Sequence, residues 1–276
     1  MKKSLIVLSF SILSALSFSN ETKMLDKVES VSLEINENYG KTLNDMGSYY
    51  FTQGDYPLAE KFYKESLKSE SDPTAYFNLG LLYRKMKMRE ESAENFKKAY
   101  ELTKKVEILE HLGHIYAVMG ESDESKYQIS REYFKKAHML NFIEGTYNYA
   151  AMNEKLGDLK TAKKIFKTLV ENDKNGDVYF HLGKIDFKEK NYVSALDNYI
   201  KAAKLGNKYS YNEIAVLYDF DNNYKEAEKY YKKSIETAKS KKALQNFEKM
   251  LQEQGKLEEY KEYAKQFKED YFDPKY

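Results

Sequence analysis

The sequence contains no cysteine and no tryptophan, and only 3 of its 276 residues are proline. Without cysteine there can be no disulfide, no thiolate nucleophile, no zinc–cysteine site and no lipid-modified cysteine. Glycine is also scarce, at 12 residues, which favours long helices. Neither sign of charge prevails, since 45 Lys and Arg stand against 44 Asp and Glu. The resulting net charge of +1 gives no strong basic field for phosphates, so we expect no nucleic-acid partner.

The longest apolar run lies at the N-terminus. Lys2 and Lys3 precede residues 5–18, which carry no charge, and the run ends in Ser17-Phe18-Ser19. This layout is typical of a secretory signal peptide. The run is shorter than the roughly 20 residues of a transmembrane helix, although an uncleaved N-terminal anchor stays an alternative. We therefore predict a signal peptide over residues 1–19, no membrane span after its removal, and an exported chain that is periplasmic or extracellular.

What the sequence does contain is a repeat of about 33 residues. A small residue opens each repeat in a helix-like context, at Gly47, Gly80, Gly113, Ala150, Gly183 and Ala215. A second small residue and then an aromatic one follow 12 and 16 positions later, as Ala59 and Tyr63, Ser92 and Phe96, Ala162 and Phe166, Ala195 and Tyr199, and Ala227 and Tyr231. In the third repeat this pair is displaced by five residues to Ser130 and Phe134, which predicts an insertion between Gly120 and Phe134.

These positions predict a helical hairpin in each repeat. The small residue lets the first helix pack closely on the second, and the aromatic residue fills the wedge before the next hairpin. Between the two helices lies a turn whose Asp or Asn can accept from free N–H groups of the second helix. Such turns are Gly54-Asp55, Gly157-Asp158, Lys190-Asn191 and Asn222-Asn223. One hairpin cannot bury its apolar face alone, so successive hairpins are expected to stack.

Two segments carry a family resemblance. Residues 78–83 and 92–99 read Asn-Leu-Gly-Leu-Leu-Tyr and Ser-Ala-Glu-Asn-Phe-Lys-Lys-Ala, and together with residues 224–231 they resemble the tetratricopeptide repeat. Residues 201–207 resemble the junction of the related Sel-one-like repeats. The resemblance covers residues 41–270 and implies an all-α, right-handed α-solenoid of about seven helix-turn-helix hairpins. Residues 20–40 are then a lead-in or capping helix, 241–270 a capping hairpin and 271–276 a tail.

Motifs of catalysis are missing from the sequence. It has no Gly-rich phosphate loop, no Gly-x-Ser-x-Gly elbow and no His-Glu-x-x-His. His111 and His114 are three residues apart and could present two imidazoles to one metal ion. A metal site needs three or four ligands, however, and an exposed helical face explains the pair as well. We therefore predict a protein that is not an enzyme and that has no catalytic, metal or cofactor site.

The candidate binding residues follow from the resemblance. First helices of tetratricopeptide hairpins line a concave groove, which implies that first-helix residues outside the core positions face a partner. These residues are Phe77, Asn78, Arg84, His114, Tyr147, Asn148, Phe180, His181, Lys184 and Phe187. Phe77, Tyr147 and Phe180 share one register, for which packing between hairpins is the alternative. The carboxylate-clamp pattern of the family is absent, because Asn44, Ser48, Asn78 and Leu81 occupy the corresponding face.

The sequence thus predicts a non-enzymatic protein–protein interaction scaffold of the cell envelope or exported space, which binds a peptide or protein segment in its groove. Two alternatives stay open at this point. One is a structural spacer or self-assembling array, and the other is an envelope enzyme or inhibitor built on the same repeat shell. The identity of the partner and the oligomeric state are not encoded in any of these patterns.

Overall fold

A computed structural model describes residues 39–68 and 72–267, and within these ranges every regular element is helical. The helices are α1 (39–53), α2 (Tyr56–Ser66), α3 (Pro73–Lys85), α4 (Arg89–Thr103), α5 (Val106–Met119), α6 (Ser125–Met139), α7 (Ile143–Lys155), α8 (Leu159–Leu169), α9 (Asp177–Lys188), α10 (Tyr192–Lys204), α11 (Ser210–Phe220), α12 (Tyr224–Ala238), α13 (Lys241–Glu253) and α14 (Leu257–Ala264). The signal peptide, nearly all of the lead-in segment and the tail at 271–276 lie outside the described residues and stay predictions.

The fourteen described helices form seven consecutive hairpins, which confirms the all-α fold class and the predicted number of repeats. They are divided into two compact units between Tyr133 and Phe134, within α6. Unit 1 therefore holds the hairpins α1–α2 and α3–α4 with α5, and unit 2 holds the hairpins from α7 onwards. None of the described helices combines the length and the apolar character that crossing a membrane requires.

The core of each unit is built from the repeat positions. Ala93, Phe96 and Leu112 are fully or almost fully buried in unit 1, as are Ala195 and Tyr199 in unit 2. In the repeats that have glycine at the small position of the first helix, such as Gly80 and Gly183, the aromatic ring of the second helix lies so close that no methyl group fits. A Cβ atom built on Gly80 would lie 2.8 Å from the Phe96 ring, because the two helices are in direct contact there.

The turns within hairpins follow the predicted chemistry at three of four positions. The side chains of Asp55, Asp158 and Asn223 accept hydrogen bonds from backbone N–H groups in the first turn of the following helix. Asn191 was predicted to do the same, but it makes no such bond. Its side-chain amide instead donates to Glu189 at 3.3 Å, since that carboxylate lies two residues earlier in the same turn.

The insertion in the third repeat lies where the sequence predicts it. Five residues, 120–124, connect α5 to α6, whereas three residues connect α3 to α4. Ser130 is buried and donates a 2.7 Å hydrogen bond to the carbonyl oxygen of Gly113. Ser92 donates to the carbonyl oxygen of Gly80 in the same way, at 2.6 Å. The shared bond confirms that Ser130 occupies the second small position of its repeat.

Ser130→Ala is expected to lower the free energy of unfolding by about 1 kcal/mol, because the carbonyl of Gly113 loses its side-chain donor in a buried position. Urea unfolding followed by circular dichroism measures this change. Ser125→Ala serves as the control, since Ser125 bonds to Asp123 on the exposed surface. An equal loss in both variants would contradict the assigned register.

Candidate partner-binding cleft

The ten predicted binding residues all lie on first helices. Four of them belong to unit 1 and six to unit 2. Unit 1 carries Phe77, Asn78 and Arg84 on α3 and His114 on α5; unit 2 carries Tyr147 and Asn148 on α7 and Phe180, His181, Lys184 and Phe187 on α9. Three of the last group, Phe180, Lys184 and Phe187, line one common cleft.

Phe77 and Tyr147 are half-buried, and each contacts the second helix of its own hairpin and the first helix of the next hairpin. The Phe77 ring lies 5.4 Å from the rings of both Phe96 and His111. In unit 2, the Tyr147 ring lies 5.7 Å from Phe166 and 5.6 Å from His181. Burial raises the pKa of the Tyr147 hydroxyl. These contacts support inter-hairpin packing, the alternative for this register, at both positions.

The side chain of Asn78 is hydrogen-bonded to a neighbouring side-chain amide. Its side-chain N–H donates to the side-chain oxygen of Asn44 at 3.0 Å, across adjacent first helices of unit 1. The pair Asn246 and Asn212 repeats this bond in unit 2, at 3.2 Å. These amides link neighbouring hairpins, and Asn78 is engaged in that link rather than in a carboxylate clamp.

His111 and His181 occupy equivalent places in the two units. Each ring stacks on the buried aromatic residue of the preceding second helix, His111 on Phe96 at 5.0 Å and His181 on Phe166 at 4.9 Å. Arg84 contacts Nδ1 of His111 at 3.0 Å and must donate there, so that nitrogen is an acceptor. Burial, reinforced by the charge of Arg84, lowers the pKa of His111 to about 4. The imidazole of His111 is therefore neutral at pH 7.

His114 points away from this stack, with half of its side chain exposed, and lies 3.4 Å from Glu110. Asn148 is half-buried on α7. The structure therefore brings neither residue into the unit 2 cleft, and their contribution to partner binding stays a prediction.

Glu154 is the buried charged centre of unit 2. Its side chain is 3% exposed, and one oxygen, Oε2, lies 2.5 Å from Nδ1 of His181. The other oxygen, Oε1, lies 2.9 Å from the Lys184 ammonium and 3.1 Å from that of Lys188. Burial alone would raise the pKa of this carboxyl, but the bonds from His181 and Lys184 outweigh it and hold the pKa at about 2. Glu154 is thus ionised throughout the neutral range and orients both lysines of α9.

Beside this centre lies a cleft of about 350 Å³, lined by the first helices α9, α11 and α13 with two residues of second helices. Its aromatic walls are Phe180, Phe187, Tyr199 and Tyr209, and its lysines are Lys184, Lys188 and Lys242. Phe187 is 39% exposed, and the Lys184 ammonium lies 5.9 Å from the centre of the Phe180 ring. The volume falls at the lower end of the range of about 300–1,000 Å³ for ligand pockets. Such a cleft can accept one or two side chains of a protein segment.

The remaining lining is polar. Glu213 lies 3.3 Å from the Lys242 ammonium and also accepts from Asn212 at 3.0 Å. Ser240 uses its hydroxyl to cap α13. Ser234 differs from these residues, because its hydroxyl is buried and has no hydrogen-bond partner among the described residues. Buried hydroxyls are normally satisfied, so Ser234 leaves one open hydrogen-bonding position in the lining.

Several lining residues escaped the sequence analysis. Glu154 lies four residues after Ala150, at the position that Arg84 and Phe187 hold in their repeats, and this shared register could have revealed it. Tyr199 was assigned to the core, yet it also borders the cleft. Tyr209, Ser240 and Lys242 lie at the starts of first helices, which no repeat pattern marks.

Comparison with known proteins agrees with this architecture. Residues 41–69, 73–105 and 209–241 each match a family model described as the tetratricopeptide repeat. These segments correspond to the hairpins α1–α2, α3–α4 and α11–α12. The matches do not single out the Sel-one-like subtype. No curated protein matches the chain in sequence.

Solved structures resemble the chain in fold. PilF of Pseudomonas aeruginosa is 17% identical, with 77% of this chain and 98% of that chain covered and a TM-score of 0.59. PilW, described as a widely conserved type IV pilus biogenesis factor, is 16% identical with 75% and 97% covered and a TM-score of 0.58. YrrB, described as a tetratricopeptide protein with an unusual peptide-binding site, is 20% identical with 64% and 91% covered and a TM-score of 0.53. At these identities the resemblance concerns the fold alone.

The family matches cover three of the seven described hairpins, and the other four are also pairs of consecutive helices. Hairpins of this kind expose extended surfaces that bind protein segments. Three of the described hairpins therefore match the tetratricopeptide repeat, and the chain contains repeats of this kind.

Proposed function

We propose that the chain is an exported, non-enzymatic scaffold that binds a segment of another protein in the unit 2 cleft. The observation that carries the proposal is the meeting of Phe180, Lys184 and Phe187 in one cleft on first helices. Aromatic side chains concentrate binding energy at protein interfaces, and the lysines around them can orient a polar segment. The three residues also belong to the set predicted from the sequence.

Location in the exported space is part of the proposal and rests on the N-terminal pattern of residues 1–19. PilW, one of the structures similar in fold, is described as a pilus biogenesis factor, and YrrB is described as having a peptide-binding site. Both descriptions are compatible with a scaffold that binds a protein segment outside the cytoplasm.

Phe187→Ala is expected to raise the Kd for the bound partner about tenfold, because the variant removes an exposed aromatic wall of the cleft. The partner is isolated by affinity capture on the wild-type chain, and its Kd is then measured by calorimetry. The melting temperature of the variant should change by less than about 2 °C, since the side chain is partly exposed.

Phe220→Ala is the matched control. Phe220 is also a phenylalanine of a first helix in unit 2 and is 69% exposed, but it does not line the cleft. Its replacement should change the Kd less than twofold. Equal losses in the two variants, or a large loss of stability in Phe187→Ala, would refute the assignment of the cleft as the binding surface.

A further inference from the structure

The lysines around the unit 2 cleft are only partly neutralised. Lys184 and Lys188 both approach the same carboxylate oxygen of Glu154, so one negative charge faces two ammonium groups. Lys242 has a single partner, Glu213, at 3.3 Å. Counting these five groups, three positive charges face two negative ones. A carboxylate that entered between Lys184 and Lys188 would therefore gain charge-assisted hydrogen bonds and relieve the repulsion between the two ammonium groups.

The inner lining of the cleft has a second unsatisfied feature. The Ser234 hydroxyl is buried without a hydrogen-bond partner in the part of the chain that the structure describes, and Ser234 lines the same cleft as Phe180, Tyr199 and Tyr209. A phenol ring would pack against these walls, and its hydroxyl could exchange a hydrogen bond with Ser234. The cleft is thus complementary to a tyrosine flanked by carboxylates.

The chain itself contains a segment of this composition. Residues 269–273 read Glu-Asp-Tyr-Phe-Asp, with three acids around two aromatic residues. This segment follows the last described residue, Phe267, which packs on Tyr263 at 5.3 Å beside Phe247 of α13.

The length of chain available indicates which copy supplies the segment. Tyr271 comes four residues after Phe267, and four extended residues span at most about 14 Å. The cleft extends from α13 past α11 to α9, and neighbouring packed helices are about 8–10 Å apart. Lys184 and Phe180 on α9 are then about 20 Å from α13, so Tyr271 of the same molecule would approach them only with its backbone and side chain fully extended. The segment of a second molecule has no such constraint.

We propose that residues 269–273 of one copy bind in the unit 2 cleft of a second copy. Tyr271 enters between Phe180, Tyr199 and Tyr209 with its hydroxyl at Ser234, and the neighbouring acids face Lys184, Lys188 and Lys242. Because the segment and the cleft are different surfaces, the contact is head-to-tail and continues from copy to copy. This inference rests on the proposed function of the cleft as a surface that binds protein segments.

The test is zero-length carbodiimide crosslinking of the full chain, in an equal mixture of ¹⁴N- and ¹⁵N-labelled molecules. We expect crosslinks of mixed isotope between the acids at 269, 270 and 273 and Lys184, Lys188 or Lys242. The pair Lys163 and Glu189, which forms an ion pair within unit 2, reports that the reaction has worked. Crosslinks from the segment that join only identical isotopes, or none from the segment while Lys163 and Glu189 are joined, would overturn the proposal.

Variants in the segment leave the described fold untouched and make the test quantitative. Sedimentation velocity of the wild-type chain should show a mass that rises beyond a dimer with concentration. Tyr271→Ala should raise the Kd of this association at least tenfold, whereas Tyr271→Phe, which keeps the ring, should raise it only a few-fold. A monomer at all concentrations, or association that is unchanged in Tyr271→Ala, would contradict the proposal.

The two proposals fail in different ways. If the segment gives no intermolecular crosslinks while Phe187→Ala still weakens capture of another protein, the head-to-tail contact is refuted and the scaffold function stands. If Phe187→Ala leaves capture of another protein unchanged while the segment gives intermolecular crosslinks to the cleft lysines, the scaffold proposal is refuted and the head-to-tail contact stands.

Discussion

Gly183→Val is expected to lower the free energy of unfolding by about 3 kcal/mol. A Cβ atom at this position would lie 2.6 Å from the ring of Tyr199, and that residue is only 1% exposed and cannot move aside. Adding side-chain carbons to a close-packed core typically costs about 1–3 kcal/mol, and valine adds three. Urea denaturation followed by circular dichroism measures the loss.

Ala215→Gly is the matched comparison for Gly183→Val. Ala215 holds the same repeat position in α11, where a methyl group is already accommodated and buried. Removing it should cost only about 1 kcal/mol, through the lower helix propensity of glycine and a small lost contact. If Gly183→Val were as stable as the wild-type chain, the close approach of α9 and α10 would be wrong.

Glu154→Gln is expected to lower the free energy of unfolding by about 3 kcal/mol at pH 7. The pKa of Glu154 is about 2 in the folded chain and 4.5 by ordinary reference, and this difference corresponds to about that energy. Because the folded value is the lower one, the contribution is complete above about pH 5 and is lost as the pH falls from 4.5 towards 2. The difference in the free energy of unfolding between the variant and the wild-type chain should therefore decrease towards zero over that range.

The control for Glu154→Gln is Glu226→Gln. Glu226 pairs with Lys229 at 2.8 Å on the surface, where the lysine side chain is 61% exposed. Exposed pairs of this kind contribute about 0–1 kcal/mol to stability. The free energy of unfolding of Glu226→Gln should therefore differ little from that of the wild-type chain. A Glu154→Gln variant whose stability matches that of the wild type at pH 7 would show that the cluster around His181 does not stabilise unit 2.

The repeat architecture could be predicted from the sequence because it depends on residue size at fixed spacing. Gly80 and Phe96 illustrate this, since the same contact of a glycine with an aromatic ring recurs between Gly183 and Tyr199. The position of Ser130 was predictable for the same reason, and its bond to Gly113 confirms the displaced register. The absence of a cap at Asn191 was not predictable, because the repeat pattern does not indicate that its side-chain amide donates to Glu189.

The cleft was only partly predictable. Phe180, Lys184 and Phe187 were found because they lie on a first helix outside the core positions. Glu154 was missed because its effect depends on three partners that lie together on α9, and pairwise sequence patterns do not reveal such convergence. The unpaired hydroxyl of Ser234 could not be predicted from the sequence, because such a prediction requires the positions of all nearby hydrogen-bonding groups.

The most direct test of the binding cleft is photocrosslinking from a single genetically encoded probe in cells that produce the chain. The account predicts that a probe at position 187 forms a covalent adduct with a discrete protein segment, mapped by mass spectrometry. A probe at Val193, which is 86% exposed on α10 of the same unit and does not line the cleft, should not form that adduct. The same adduct from both positions, or one from position 193 alone, would contradict the claim that the cleft binds the partner.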